Sequence, residues 1–316
     1  MVQSAEHDVL IFGGGPAGMT AAMWCAQIGM SPLLIDQKEQ LGGQLLTIYN
    51  PIDNYPGVST ANGKELCDLF VRSIERCSFE TRLKTRVIKV DLASKHILLE
   101  SGESLIGRAL IIATGVRRRK LGVEGEDKFA GRGILESGAG AKEKVRDKRV
   151  VIVGGGDAAL ENAVVLSDFA REVTLVHRRD SFSARDEFTN AVRTKENIRF
   201  ELQTVVGQIV GNKKVEAVVV KKAGEADSYL LETDHVLIRI GVEPNSDLVK
   251  GQVEIDDQGY AVVDAACQSS FPGVFIAGDI ANPASPTIAT AVGMGAAAAK
   301  SACGFLSSDP DNTRSI

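Results

Sequence analysis

Residues 150–179, VVIVGGGDAALENAVVLSDFAREVTLVHRR, decide how the rest of the chain is read. An apolar strand at 150–153 runs into Gly154, Gly156 and Ala159, an amphipathic helix follows, and a second apolar strand at 173–176 ends in His177, Arg178 and Arg179. These residue types in this order are what a dinucleotide-binding βαβ unit needs. Gly154 permits the tight turn, Gly156 lets the backbone approach a diphosphate, and the small Ala159 lets helix and strand pack closely. The helix N-terminus adds free N–H groups and the positive end of its dipole. An NAD site would carry Asp or Glu after the second strand, for the ribose 2′-hydroxyl. Here that position is His177, followed by two arginines. Guanidinium groups bind a 2′-phosphate that a carboxylate would repel, so NADPH is the expected nucleotide, with NADH possible. The competing reading is an ordinary strand-to-helix turn with solvated arginines.

A second unit of the same kind opens the chain. The strand at 8–12 meets Gly13, Gly14, Gly15, Pro16, Ala17 and Gly18, a helix runs to about Ile28, and the strand at 32–35 ends at Asp36, 18 residues past Gly18. A carboxylate there suits the ribose of an adenosine without a 2′-phosphate, such as that of FAD. Each unit is followed by three alternating strands, at 86–92, 96–100 and 104–112 after the first and at 198–210, 215–222 and 229–240 after the second. The chain is therefore an internal repeat, and the expected fold is α/β. Two Rossmann-like βαβ domains each carry an antiparallel β-meander. The segment at 273–299 repeats nothing. Its apolar strand presents Gly278 and Asp279, which suit hydrogen bonds to a polyol such as the ribityl chain of FAD.

Composition narrows the classes. A length of 316 residues suits two domains, and 44% apolar with 24% charged residues is ordinary for a globular protein. The net charge of −5 argues against a nucleic-acid binder. No cationic region precedes the first apolar run, which is too short for a signal or a membrane span. The Gly/Ala-rich stretch at 287–299 is broken by Lys300 and reads as a buried or interface helix, so a cytoplasmic protein with no membrane partner is expected. Cys25, Cys67, Cys77, Cys267 and Cys303 form no C-x-x-C and no metal-type spacing, and read as ordinary buried thiols.

The motifs in order are GGGPAG (13–18), GGQL (42–45), NYPG (54–57), ATG (113–115), GGGDAA (154–159), HRR (177–179) and GVFIAGD (273–279). This series resembles the pyridine nucleotide-disulfide oxidoreductases, most closely their low-molecular-weight thioredoxin reductase-like branch. The resemblance implies an FAD domain at 1–118 and 246–316 with an inserted NAD(P) domain at 119–245. It implies hinges near 117–121 and 241–245, an inserted domain able to swing, and a homodimer. It also implies FAD contacts from Gly13, Gly15, Pro16, Ala17, Gly18, Asp36, Gly43, Gln44, Leu45, Asn54, Ala113, Thr114, Gly115, Gly278 and Asp279. Thr287 and Ile288 stand where the family has its R-Q-A stretch. Asp157 and Ala158 join Gly154 and Gly156 on the nucleotide side.

Three departures from the pattern bear on function. Ser137, Gly138, Ala139 and Gly140 stand where a thioredoxin reductase has its C-x-x-C, and Ala141 stands for the nearby acid. Ser183 replaces a further arginine for the 2′-phosphate, with Arg185 two residues on as its substitute. The tail 307–316 lacks the aromatic ring that ferredoxin/flavodoxin–NADP reductases of this fold stack on the flavin, leaving Tyr49 or Tyr55 as candidates. The basic run Arg117, Arg118, Arg119 and Lys120 either docks an acidic carrier protein or is a solvated linker.

The expected activity is electron transfer from NADPH through FAD to an external carrier of ferredoxin, flavodoxin or thioredoxin-like type. No acid or base residue is assigned, because hydride transfer needs geometry above all. The alternatives are a disulfide oxidoreductase whose thiols lie elsewhere, with Cys25 as the first candidate, a relative holding another flavin in the second site, and a non-catalytic flavin-binding sensor.

Overall fold

The computed structural model describes residues 7–308, so residues 1–6 and most of the tail discussed above lie outside the described residues. In chain order the first elements are β1 (His7–Phe12), α1 (Pro16–Gln27), β2 (Pro32–Ile35), α2 (Gly63–Ile74), β3 (Glu80–Arg82), β4 (Val87–Asp91), β5 (His96–Leu99) and β6 (Ser104–Ile112). Strand β7 (Val116–Arg118) leads to β8 (Ile134–Leu135), β9 (Arg149–Val153), α3 (Asp157–Ser167), β10 (Glu172–Val176), α4 (Asp186–Arg193) and β11 (Ile198–Glu201). Then follow β12 (Thr204–Val210), β13 (Ala217–Lys222), β14 (Ser228–Glu232), β15 (His235–Ile238), β16 (Val242–Pro244), β17 (Val274–Ile276) and α5 (Ile288–Ser307).

The chain divides into two units, with crossings between Arg117 and Arg118 and between Val242 and Glu243. The second crossing falls earlier than the expected 245/246. Asn245 is tied to the first unit, its N–H donating to Gly115 O at 2.9 Å and its side-chain amide to Thr114 O at 2.7 Å.

In the first unit, β3, β2, β1 and β6 run parallel, β6, β5 and β4 antiparallel, and β17 lies parallel to β6. The single long strand β6 thus serves both the meander and the parallel sheet. Val9, Leu10 and Ile11 of β1 are fully buried, as expected where a parallel sheet is covered on both faces. One face packs against α1 and α5 through Met19, Ala22, Ala298 and Ala302, the other against Val249, Val253 and Ile280. α5 is long and apolar enough, by length and composition, to cross a membrane. It nonetheless lies directly on α1: a Cβ on Gly295 would come within 2.3 Å of the Ala17 carbonyl oxygen.

The second unit has a parallel sheet in the order β11-β10-β9-β15-β8 and a separate antiparallel sheet β12-β13-β14. Here the expected strands at 198–210 and 229–240 are each two strands. Gln203, at φ 52°, breaks the first, and Thr233 and Asp234 separate β14 from β15. In both cases the chain leaves one sheet for the other while its apolar content continues, so periodicity gives no signal of the break.

Candidate functional site

In the first unit the strand order reverses at β1, between β2 and β6, and a cleft of about 680 Å³ opens at the C-terminal ends of these strands. Gly13, at φ 105°, makes the turn out of β1, and a Cβ there would meet Ala113 O at 2.3 Å. α1 then begins at Pro16, which has no N–H to lose at a helix start. Asp36, 9% exposed, closes the end of β2. Its carboxylate accepts from the Gly14 N–H at 2.5 Å and from the Lys38 N–H at 2.7 Å, which fixes its orientation beside the turn. From the other side, the Gly42 N–H donates to Gly14 O at 2.7 Å and brings Gly43 against Gly15. α5 opens on the cleft at Thr287, whose hydroxyl accepts from the Thr290 N–H in a capping box.

All the flavin-side residues named from the sequence line this cleft except Gly18 and Asn54. Gly18 lies inside α1, where a Cβ would fall 1.8 Å from Gly13 O, so its smallness lets the helix seat on the turn. Asn54 is exposed on a loop and does not line the cleft. Lys38, Thr85, Arg86, Val87 and Asn245 also line the cleft, and sequence reasoning missed them. The first four follow no motif. Asn245 follows Pro244 in an E-P-N stretch that a reader of motifs could have noticed. The proposed stacking rings are not at the cleft either: Tyr55 packs on Phe70 at 6.0 Å and Tyr49 is exposed.

The cleft fits FAD. Its volume is in the range of cofactor sites, a backbone-only approach is open at Gly15 and Gly115, and a buried carboxylate stands at the ribose end. Asp279 is half-buried at the other end, where it accepts from Gln44 Nε2 at 3.2 Å, and burial pushes its carboxyl above the ordinary value. A raised acid protonates at milder pH, and one of its oxygens then donates where it had accepted, which weakens its hold on the hydroxyls of a polyol. Flavin retention is accordingly expected to fall in mild acid, and Asp279→Asn to lose the flavin at neutral pH as the wild type does in acid. Flavin absorbance after desalting across a pH series checks this, and an identical pH profile in the variant would refute it.

In the second unit Gly154, at φ 149°, turns the chain out of β9, and α3 starts at Asp157 with Ala158 and the fully buried Ala159 behind it. The ring of His177 lies over Gly155, since a Cβ there would come within 2.3 Å of it, and continues into Phe182 and Phe200 at 5.6 and 5.8 Å. Burial first, then the Arg179 and Arg178 charges, hold this imidazole below its ordinary value, and its buried Nε2 has no partner. Arg178 and Arg179 are exposed at the end of β10, with no carboxylate partner among the described residues. Arg185 Nε bonds Asp157 at 2.8 Å and its guanidinium Glu187 at 3.0 Å, so its charge is paired within the protein. Ser183 instead donates its backbone N–H to Gly155 O at 2.8 Å.

In the basic run, every side chain but that of Arg118 has a partner. Arg117 pairs with Glu243 and Asp247 at 2.7 Å each, Arg119 donates to Val242 O at 2.8 Å, and Lys120 pairs with Asp127 at 2.5 Å. All five cysteines are free. Burial raises the thiols of Cys25 to about 12 and Cys267 to about 11, and raises Cys67 as well. At 137–140, Ser137 Oγ accepts from the Gly140 N–H at 3.2 Å, and Gly138 packs directly on Asn162.

A flavin-type cleft in one unit and a glycine-turn nucleotide unit with a basic strand end in the other define a flavoprotein oxidoreductase of the double-Rossmann class. The family model described as pyridine nucleotide-disulphide oxidoreductase matches residues 7–295, and the chain belongs to that family. It is 37% identical over 295 residues to a thioredoxin reductase of Mycolicibacterium smegmatis, covering 92% of this chain and 94% of that one. A thioredoxin reductase of Streptomyces clavuligerus is 33% identical over 98% of this chain and 97% of its own. Among solved structures, the Lactococcus lactis thioredoxin reductase in its FR conformation superposes with a TM-score of 0.82 at 32% identity, covering 95% of this chain and 99% of that chain. The protein is an oxidoreductase of the thioredoxin reductase type, a type that uses FAD and NADPH.

Proposed function

We propose that this protein takes electrons from NADPH through FAD and passes them to an external acceptor, a small electron-carrier protein of ferredoxin or flavodoxin type, acting as a homodimer. The observation that carries this reading is the sulfur-free segment at 137–140, in a chain whose cysteines are all unpaired. An internal thiol relay needs a thiolate, and burial opposes ionisation at Cys25, Cys67 and Cys267. Cys25 in particular, on α1 and fully buried in the core, is poorly suited to serve as a displaced redox thiol.

FAD, when bound, accepts a two-electron hydride and can release electrons singly, which suits a one-electron carrier. The residues that would hold it have distinct tasks. The α1 N-terminus at Gly15 and Pro16 faces the diphosphate, Asp36 accepts from the adenosine ribose, and Gln44 and Asp279 hold the polyol chain. In the second unit the α3 N-terminus at Gly156 takes the nucleotide diphosphate, and Arg178 and Arg179 the 2′-phosphate. A second reading, a thioredoxin-like dithiol that meets the flavin directly, is supported by the names of the relatives.

The test is an anaerobic titration of the yellow protein with NADPH and, separately, NADH, following the flavin's visible band. Rapid bleaching by NADPH is expected, then reoxidation by ferredoxin or flavodoxin. Reoxidation only by a thioredoxin disulfide would favour the second reading. No bleaching by either nucleotide would remove both and leave a binding role.

A further inference from the structure

The sheet of the second unit reverses its order at β9, between β10 and β15, and the two strand ends on the β15 side of that point carry Gly154 and Arg239. The Arg239 N–H donates to Val153 O at 2.7 Å, and a Cβ on Gly154 would come within 2.1 Å of Arg239 O, so the Arg239 backbone sits directly beside the glycine turn. It is 6% exposed. Its guanidinium donates to two backbone carbonyls, Ile238 O at 2.8 Å and Glu136 O at 2.9 Å, and has no carboxylate partner among the described residues. The charge acting on it is a second guanidinium. Burial and then Arg118 depress Arg239 to about 10. Arg118 reaches the surface but is partly desolvated, which lowers it as well, and its side chain, alone in its basic run, has no ion-pair or hydrogen-bond partner among the described residues.

Two like charges, one of them out of water, are costly unless an anion offsets them. Arg239 ends a strand at the switch point, where open α/β sheets take their ligands, and the Arg119 N–H, donating to Gly241 O at 3.1 Å, brings the neighbouring Arg118 to the same strand end. We propose that Arg118 and Arg239 are a second anion-binding element of this nucleotide site, which takes the diphosphate of the pyridine nucleotide together with the α3 N-terminus. Arg118 makes the contact, and Arg239 behind it raises the local positive potential. The inference rests on the pyridine-nucleotide reading of this unit. Its role is separate from that of Arg178 and Arg179 at the end of β10: the diphosphate is common to NADP⁺, NAD⁺ and ADP-ribose, whereas the 2′-phosphate belongs to NADP⁺ alone.

Calorimetric titration of the flavin-loaded protein with NADP⁺, NAD⁺, ADP-ribose and 2′-AMP tests it in wild type, Arg118→Ala, Arg239→Met and Arg239→Lys. Arg118→Ala is expected to weaken the three diphosphates alike, by roughly tenfold, and to leave 2′-AMP unchanged. Arg239→Met follows the same pattern and Arg239→Lys stays near wild type. Should the buried methionine prevent folding, Arg118→Ala carries the test by itself. Unaltered ADP-ribose binding in Arg118→Ala would overturn the proposal, as would a loss confined to NADP⁺ and 2′-AMP. A wild type that binds none of the four would overturn the nucleotide reading beneath it, a result distinct from either.

Discussion

Gly18→Ala is expected to yield protein without flavin, most of it insoluble. The added methyl would stand 1.8 Å from the Gly13 carbonyl oxygen and 3.0 Å from its carbon. Both are backbone atoms, so no side-chain rotation relieves the clash. α1 must lift from the turn, and Gly13 is itself held by its N–H to Ile35 O at 2.8 Å. Overpacking of this kind costs about 1–3 kcal/mol or more, a large share of the stability of a domain. Gly15→Ala is the control. Its backbone, at φ −79°, suits any residue, and the nearest atom to its Cβ is Gly43 Cα at 3.9 Å. That variant is expected to fold and to lose flavin only because the methyl enters the cleft. Circular dichroism with the flavin-to-protein absorbance ratio separates the two outcomes. A fully yellow, soluble Gly18→Ala would show that helix and turn need not be in contact.

The second large effect concerns nucleotide choice. Replacing both Arg178 and Arg179 by Ala is expected to raise the NADPH dissociation constant roughly 100-fold, from two lost charge-assisted hydrogen bonds, and to leave NADH within about threefold. Arg185→Ala is expected to change neither by more than about threefold, because Asp157 and Glu187 already hold its guanidinium. Stopped-flow rates of flavin reduction at varied nucleotide concentration read both constants. Equal losses for NADPH and NADH in the double variant would place the arginines away from the 2′-phosphate, and a large loss in Arg185→Ala would mean that its ion pairs open for the ligand.

Much of this was legible in the sequence because it is written in short windows. The glycine turns at Gly13 and Gly154 depend on positive φ and on the want of a side chain, properties of single residues. The apolar runs that became β1, β2, β9 and β10 are parallel strands buried on both faces, and they show as unbroken hydrophobic stretches. Asp36 could be found by counting from Gly18. Its two bonds to Gly14 and Lys38 could not, though they make it a wall of the cleft.

What remained hidden depends on partners far along the chain. Whether 198–210 is one strand or two is decided by which sheet each half joins, and both halves satisfy the same local pattern. A run of four basic residues reads as a patch until Arg117 is seen to pair with Asp247, 130 residues away, leaving only Arg118 unengaged. Arg185 looks free until α3 brings Asp157 to it. The sequence by itself determined two βαβ nucleotide units, their glycine turns and five cysteines with no C-x-x-C spacing, because backbone conformation and residue identity are local. Only the tertiary structure decided which charges are left over for a ligand, because a charge is neutralised by whatever the fold places beside it, and that neighbour is set by packing and not by sequence distance.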